Sequence, residues 1–109
     1  MTRRASPVPL RPTGTVTFLF TDIEGSSRRW ERDRRAMHDA LQRHDALVRV
    51  AIESNHGFVF KTIGDAFCSA FARAEDAIKA AVEAQRRLTT SDFSAIGGVR
   101  VRIALHAGT

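Results

Sequence analysis

Two short apolar runs, Phe58-Val59-Phe60-Lys61-Thr62 and Ala66 to Phe71, are separated only by Ile63-Gly64-Asp65. Aromatic and β-branched runs that close across so short a glycine-containing link form a β-hairpin, which fixes two antiparallel strands and puts Asp65 at the tip. The flanking segments extend this frame in both directions. Upstream, Thr15 to Asp22 alternates in the manner of a strand, with Val16, Phe18 and Phe20 on one face. Gly25-Ser26-Ser27 then opens a helical stretch, and from Met37 to Ser54 the apolar residues Ala40, Leu41, Leu47, Val48, Ala51 and Ile52 recur at helical spacing. Asn55-His56-Gly57 closes that run, with Gly57 as the expected C-cap. Downstream, Ala74, Ala77, Ile78, Ala81, Val82, Gln85 and Leu88 mark a second amphipathic helix, with Glu75 and Asp76 in its first turn. A loop over 89–98 leads into a fourth strand from Val99 to His106. The order β-α-β-β-α-β, with a split first helix, is an α+β ferredoxin-like arrangement.

The 109 residues, 43% of them hydrophobic, make one domain with a single core. Pro7, Pro9 and Pro12 and the lack of periodicity make 1–13 a flexible leader before a domain over 14–109. Within the leader, Arg3-Arg4-Ala5-Ser6 has the form of a kinase site, a match short enough to arise by chance. No apolar run approaches the roughly 20 residues of a membrane span, and no signal-peptide stretch follows the leader, so a cytoplasmic chain is expected. The single cysteine, Cys68, sits in an apolar strand pattern and is expected in the core. No Cys/His cluster has zinc spacing.

The net charge of +5 comes largely from arginine, since Lys61 and Lys79 are the only lysines. The segment from Arg28 to Arg35 interleaves five arginines with two acids; it reads as a solvated helix face, with polyphosphate or nucleic-acid contact as the alternative. His106 reads as structural, and His38, His44 and His56 as helix-surface or cap residues.

The topology has a geometric consequence. In such a sheet the first and third strands are antiparallel neighbours, so Asp22 and Asp65 converge. The fourth strand brings Arg100 and Arg102 towards the same end. Two carboxylates about 4 Å apart repel by roughly 4 kcal/mol at an effective dielectric near 20, and a cation removes that repulsion. Oxygen ligands beside an anion-ready backbone favour Mg2+ or Mn2+. Two acids, a lysine and an arginine at one sheet edge are what a metal-bound triphosphate needs.

Three segments together carry a family resemblance: Thr17 to Ser27 (TFLFTDIEGSS), His56 to Asp65 (HGFVFKTIGD) and Arg102 to Gly108 (RIALHAG). They resemble the metal-binding half of a class III adenylate/guanylate cyclase catalytic domain, over nearly all of the chain from Gly14 to Thr109. The resemblance implies that Asp22 and Asp65, with the Ile23 carbonyl, bind two divalent ions. It further implies that the backbone from Glu24 through Gly25 and Ser26 to Ser27 cradles phosphates, that Arg102 pairs with them, and that Lys61 reads the adenine of ATP. The implied reaction is attack of the ribose 3′-oxygen on the α-phosphorus, giving 3′,5′-cyclic AMP and pyrophosphate. Ser27 and Ala104 stand where threonine and glycine are common.

The chain stops at Thr109, short of the part that supplies the family's second base-reading residue and the Asn/Arg pair that steadies the transition state. Family sites form between two subunits, so the expectation is a homodimer, or a heterodimer with a complete cyclase domain, and little or no activity alone. A non-catalytic interaction partner or a vestigial fragment is the alternative. A nucleic-acid-binding module that stacks bases on Phe58, Phe60, Phe67 and Phe71 is more remote, because phenylalanines on a sheet that faces two helices are expected in the core.

Overall fold

A computed structural model describes residues 12–108. The leader, apart from Pro12 and Thr13, lies outside the described residues, as do its Arg3-Arg4-Ala5-Ser6 site and Thr109. The elements run β1 (Val16–Ile23), α1 (Ser26–Arg32), α2 (Arg34–Glu53), β2 (Phe58–Ile63), β3 (Ala66–Phe71), α3 (Ala74–Thr89), a 3-10 turn (Ser94–Ile96) and β4 (Val101–Gly108). This is the expected α+β order. The first helix is split at Asp33, whose extended backbone (φ −154°) ends α1. Its carboxylate accepts from the Ala36 N–H at 3.0 Å and so starts α2.

The sheet order is β2-β3-β1-β4, and every neighbouring pair is antiparallel. The core lies between one sheet face and the helices. Leu19, Ile23, Phe67 and Phe71 meet Met37, Val48 and Ile52 of α2 and the alanines and Leu88 of α3 there. Among the described residues the opposite face carries no helix. Phe18, Phe20 and Phe60 gather on it, with ring centroids 6.2 Å and 6.1 Å apart. Phe20 and Phe60 remain 39% and 42% exposed.

Several sequence expectations are corrected by this layering. Phe60 is not core, whereas Phe67 and Phe71 are buried against the helices and out of reach of any base. Cys68 is half-buried because it stands opposite Phe20 on the open face. His106 is exposed opposite Phe18. On α3 the buried stripe is Ala77, Ala80, Ala84 and Leu88, while Ile78 and Val82 are about half exposed. Hydrophobicity favours isoleucine and valine as the inward residues, but the alanine stripe is the side that lets the helix approach closely.

Two further differences concern histidines. His44 is buried, not on a helix surface; its ring packs edge-on against Phe67 and its Nδ1 lies 2.8 Å from Asp45 Oδ1. His56, not Gly57, takes the left-handed conformation after α2, with φ 70°. Gly57 is required for space: a Cβ there would lie 2.5 Å from Phe71 Cζ and 2.6 Å from Ile52 Cγ2. β4 begins at Val101, two residues later than expected, because Gly97 and Gly98 both hold positive φ before it.

Candidate metal and phosphate site

The site is assembled at the end of the sheet where β1 finishes. The β1–β3 ladder ends at Thr21 opposite Phe67, so beyond that point β1 is paired with β4 alone. Asp22 follows directly, with Asp65 in the two-residue turn that precedes β3. Gly64 enables that turn by adopting φ 56°. On the other side, Asp22 and Arg102 are direct cross-strand partners. The sheet thus brings Asp22, Asp65 and Arg102 to one end, as the topology requires.

Arg102 grips Asp22 at two points, Nε to Oδ1 and Nη2 to Oδ2, both at 2.9 Å. The hydrogen bonds to Asp22 hold the guanidinium above its ordinary pKa, helped by the charge of Asp22 and then by those of Glu24 and Asp65. Arg102 therefore lies within electrostatic reach of three carboxylates. Two oxygens at this end have no partner: Asp65 Oδ2 and, one residue before Asp22, Thr21 Oγ1 are buried and unbonded. A buried carboxylate oxygen in that state is costly unless a donor or cation meets it.

Among the described residues no group of three or more His, Cys, Asp and Glu side chains is arranged to hold a metal. The side-chain oxygens at this end are those of Asp22 and Asp65, with Glu24 next in electrostatic reach of Arg102. Such a set fits Mg2+ or Mn2+, which keep several waters and take phosphate oxygens to complete their shells, and it does not fit an ion that needs a closed protein cage.

The Glu24-Gly25-Ser26-Ser27 turn lies beside this end. The Glu24 N–H donates to the Arg100 carbonyl at 2.8 Å, which ties the turn to the start of β4. Gly25 is left-handed (φ 67°), and α1 starts at Ser26 with no side chain capping it. Arg29 fastens the turn from below: its Nη1 donates to the Glu24 carbonyl and its Nε to the Gly98 carbonyl at 3.2 Å. Nothing in the sequence pattern distinguishes Arg29 from its four arginine neighbours, and its role appears only when the 97–98 loop is brought beside it.

Lys61 is exposed on edge strand β2. Val59 pairs with Ser69, and the next pair is Lys61 with Cys68, so Phe60 is the extra residue of a β-bulge. Strict alternation from Phe58 would turn Lys61 towards the helices; the bulge puts it on the open face with Cys68 and Phe20. That face holds a shallow cavity of about 290 Å³ lined by Phe20, Asp22, Ala66, Cys68, Arg102 and Ala104. Lys61, Asp65 and Arg100 do not line it. Among the described residues no helix is long and apolar enough to cross a membrane.

Known proteins share this pattern. The sequence profile of the adenylate and guanylate cyclase catalytic domain matches residues 8–109. An uncharacterized protein of Mycobacterium tuberculosis is 39% identical over 102 residues, which are 91% of this chain and 33% of that protein. A receptor-type adenylate cyclase of Trypanosoma brucei brucei is 37% identical over 92 residues, 84% of this chain and 8% of that one. Among solved structures, an adenylate cyclase from Trypanosoma brucei in its monomeric state superposes with a TM-score of 0.84 at 28% identity, covering 92% of this chain and 59% of that one. The chain thus spans about a third of the mycobacterial relative and three fifths of the solved trypanosomal chain. By its profile and its fold together, the chain belongs to the adenylate and guanylate cyclase catalytic-domain family.

Proposed function

We propose that these residues form the metal- and phosphate-bearing half of an adenylate cyclase site, acting in the cytoplasm on ATP with two Mg2+ or Mn2+ ions. The observation that carries this reading is the meeting of Asp22, Asp65 and Arg102 at one sheet end, with Asp65 Oδ2 buried and lacking a partner. In the proposal Asp22, Asp65 and the Ile23 carbonyl hold the ions. The main-chain N–H groups of Gly25, Ser26 and Ser27 receive the β- and γ-phosphates, while Glu24, whose N–H donates to the Arg100 carbonyl, anchors the turn, and Arg102 pairs with the phosphates. Lys61, turned onto the same face by the bulge, reads the adenine ring.

When bound, the ions lower the pKa of the ribose 3′-hydroxyl and neutralise phosphate charge. This chain's own residues orient the triphosphate so that the 3′-oxygen meets the α-phosphorus in line with the departing pyrophosphate. The family spans adenylate and guanylate cyclases; Lys61 and the adenylate cyclase relatives favour ATP.

In the proposal the second half-site, with the Asn/Arg pair that the resemblance implies, comes from a partner subunit. Losing one positioned transition-state donor lowers a rate by about 10² to 10³. Activity in the proposal therefore needs dimerisation with a complete cyclase domain. The test is cyclic AMP formation from ATP and Mn2+ by this chain alone and mixed with a cyclase domain whose own two metal aspartates are replaced. Near silence alone and activity in the mixture are expected. Robust activity alone overturns the half-site reading, and no gain from a mixture shown to heterodimerise leaves a non-catalytic partner as the better one.

A further inference from the structure

Resting on the metal reading above, we propose that Arg102 is the resident counter-ion of the metal site. Its guanidinium is seated on Asp22 and competes with a divalent ion for that carboxylate; a triphosphate that draws Arg102 away therefore raises the affinity for metal.

The geometry makes the two occupants compete for Asp22. Both Asp22 oxygens accept from Arg102 at 2.9 Å, and a metal needs at least one of them. The guanidinium does not complete the site, because Asp65 Oδ2 stays without a donor. The local charges are three carboxylates, Asp22, Glu24 and Asp65, all acting on Arg102. Among the described residues Arg102 is the cation hydrogen-bonded to Asp22. A divalent ion that entered beside Arg102 would gain from the same carboxylates but would face a guanidinium already seated on one of them.

Release is easy. The side chains of Arg102 and Asp22 are 63% and 42% exposed, and an exposed pair shifts an equilibrium by no more than about fivefold. A guanidinium fork accepts phosphate oxygens as readily as carboxylate ones. Arg102 thus has an alternative partner only when a phosphate is present. Metal and triphosphate then favour each other through one side chain, and by linkage the effect is the same in both directions.

The prediction is a reversal of sign. Mn2+ binding is read from the loss of the free-ion electron paramagnetic resonance signal, first with Mn2+ alone and then with adenosine 5′-(α,β-methylene)triphosphate added, as the loss beyond that caused by the same nucleotide without protein. Arg102→Ala should bind Mn2+ alone about two- to fivefold more tightly than the wild type. With the nucleotide analogue present it should bind less tightly. Arg102→Lys, which keeps the charge and loses the fork, should fall between, and melting curves of both variants show that the fold is kept. Unchanged or weaker binding of Mn2+ alone by Arg102→Ala overturns the counter-ion role. Asp65→Asn separates the two claims. If it also leaves Mn2+ binding unchanged, the metal reading itself has failed; if it abolishes binding while Arg102→Ala brings no gain, only the role of Arg102 has.

Discussion

Lys61 stands opposite Cys68 across the β2–β3 hairpin, one residue out of step with the pairing of Val59 and Ser69. The bulge between these pairs decides which face of the sheet the lysine serves. If that face binds the adenine, Lys61→Ala should weaken ATP binding about fivefold and leave GTP binding within about twofold. Stability should not change, because Lys61 is exposed and makes no side-chain bond to another described residue. Equilibrium binding of both nucleotides in the presence of Mn2+ measures this, and equal losses for the two would remove Lys61 from base recognition.

The end of α2 predicts two opposite stability effects at adjacent positions. Gly57→Ala places a methyl group within 2.6 Å of Phe71 and Ile52, both fully buried. Overpacking of this kind costs about 1–3 kcal/mol, so the melting temperature should fall by several degrees. His56→Gly relieves a left-handed residue (φ 70°) and should be neutral or stabilising by about 0.5–1 kcal/mol. Thermal melts of the two variants check this directly. The reverse order of stabilities would restore Gly57 as the conformational cap.

Glu83 links α3 to the end of α2. It accepts from Arg87 Nε at 2.8 Å, from Asn55 Nδ2 at 3.1 Å and from Ser54 Oγ at 3.4 Å. Burial pushes its carboxyl up, but these donors together outweigh that and hold it below the ordinary 4.5. A carboxylate whose pKa is depressed by folding stabilises the fold above its unfolded pKa and loses that contribution as pH falls through the folded one. Glu83→Gln should therefore cost about 0.5 kcal/mol at neutral pH, a cost that shrinks as pH falls below 4.5 and through the folded pKa. Urea unfolding across a series of acid pH values measures the trend, and a cost that does not change with pH would contradict the assignment.

Much of this architecture was legible in the sequence because it rests on periodicity and on short links. The hairpin and the two long helices follow from spacing, and the convergence of Asp22 with Asp65 and Arg102 follows from antiparallel topology; that the first helix breaks at Asp33, inside a run that reads as one helix face, does not. What was not legible depends on packing between distant segments. Alternation groups Val16, Phe18 and Phe20 correctly but does not say whether the helices cover their face or the other one. The alanine stripe of α3 lies inward although Ile78 and Val82 are the more hydrophobic residues. His44 sits among polar and apolar neighbours at a helical position that chemistry alone assigns to the surface, yet it fills space against Phe67. The bulge at Phe60 and the anchoring of the Glu24 turn by Arg29 leave no mark on the local pattern.

The central claim is that Asp22 and Asp65 jointly hold divalent ions, and anomalous diffraction tests it most directly. Crystals of the protein with Mn2+ and adenosine 5′-(α,β-methylene)triphosphate, measured near the manganese edge, should show density between the two carboxylates. The oxygens of Asp22 and Asp65 should lie about 2.1 Å from it, with Arg102 turned from Asp22 towards the phosphates. Bound nucleotide with no anomalous density at Asp22 and Asp65, and with Arg102 still on Asp22, would contradict the account.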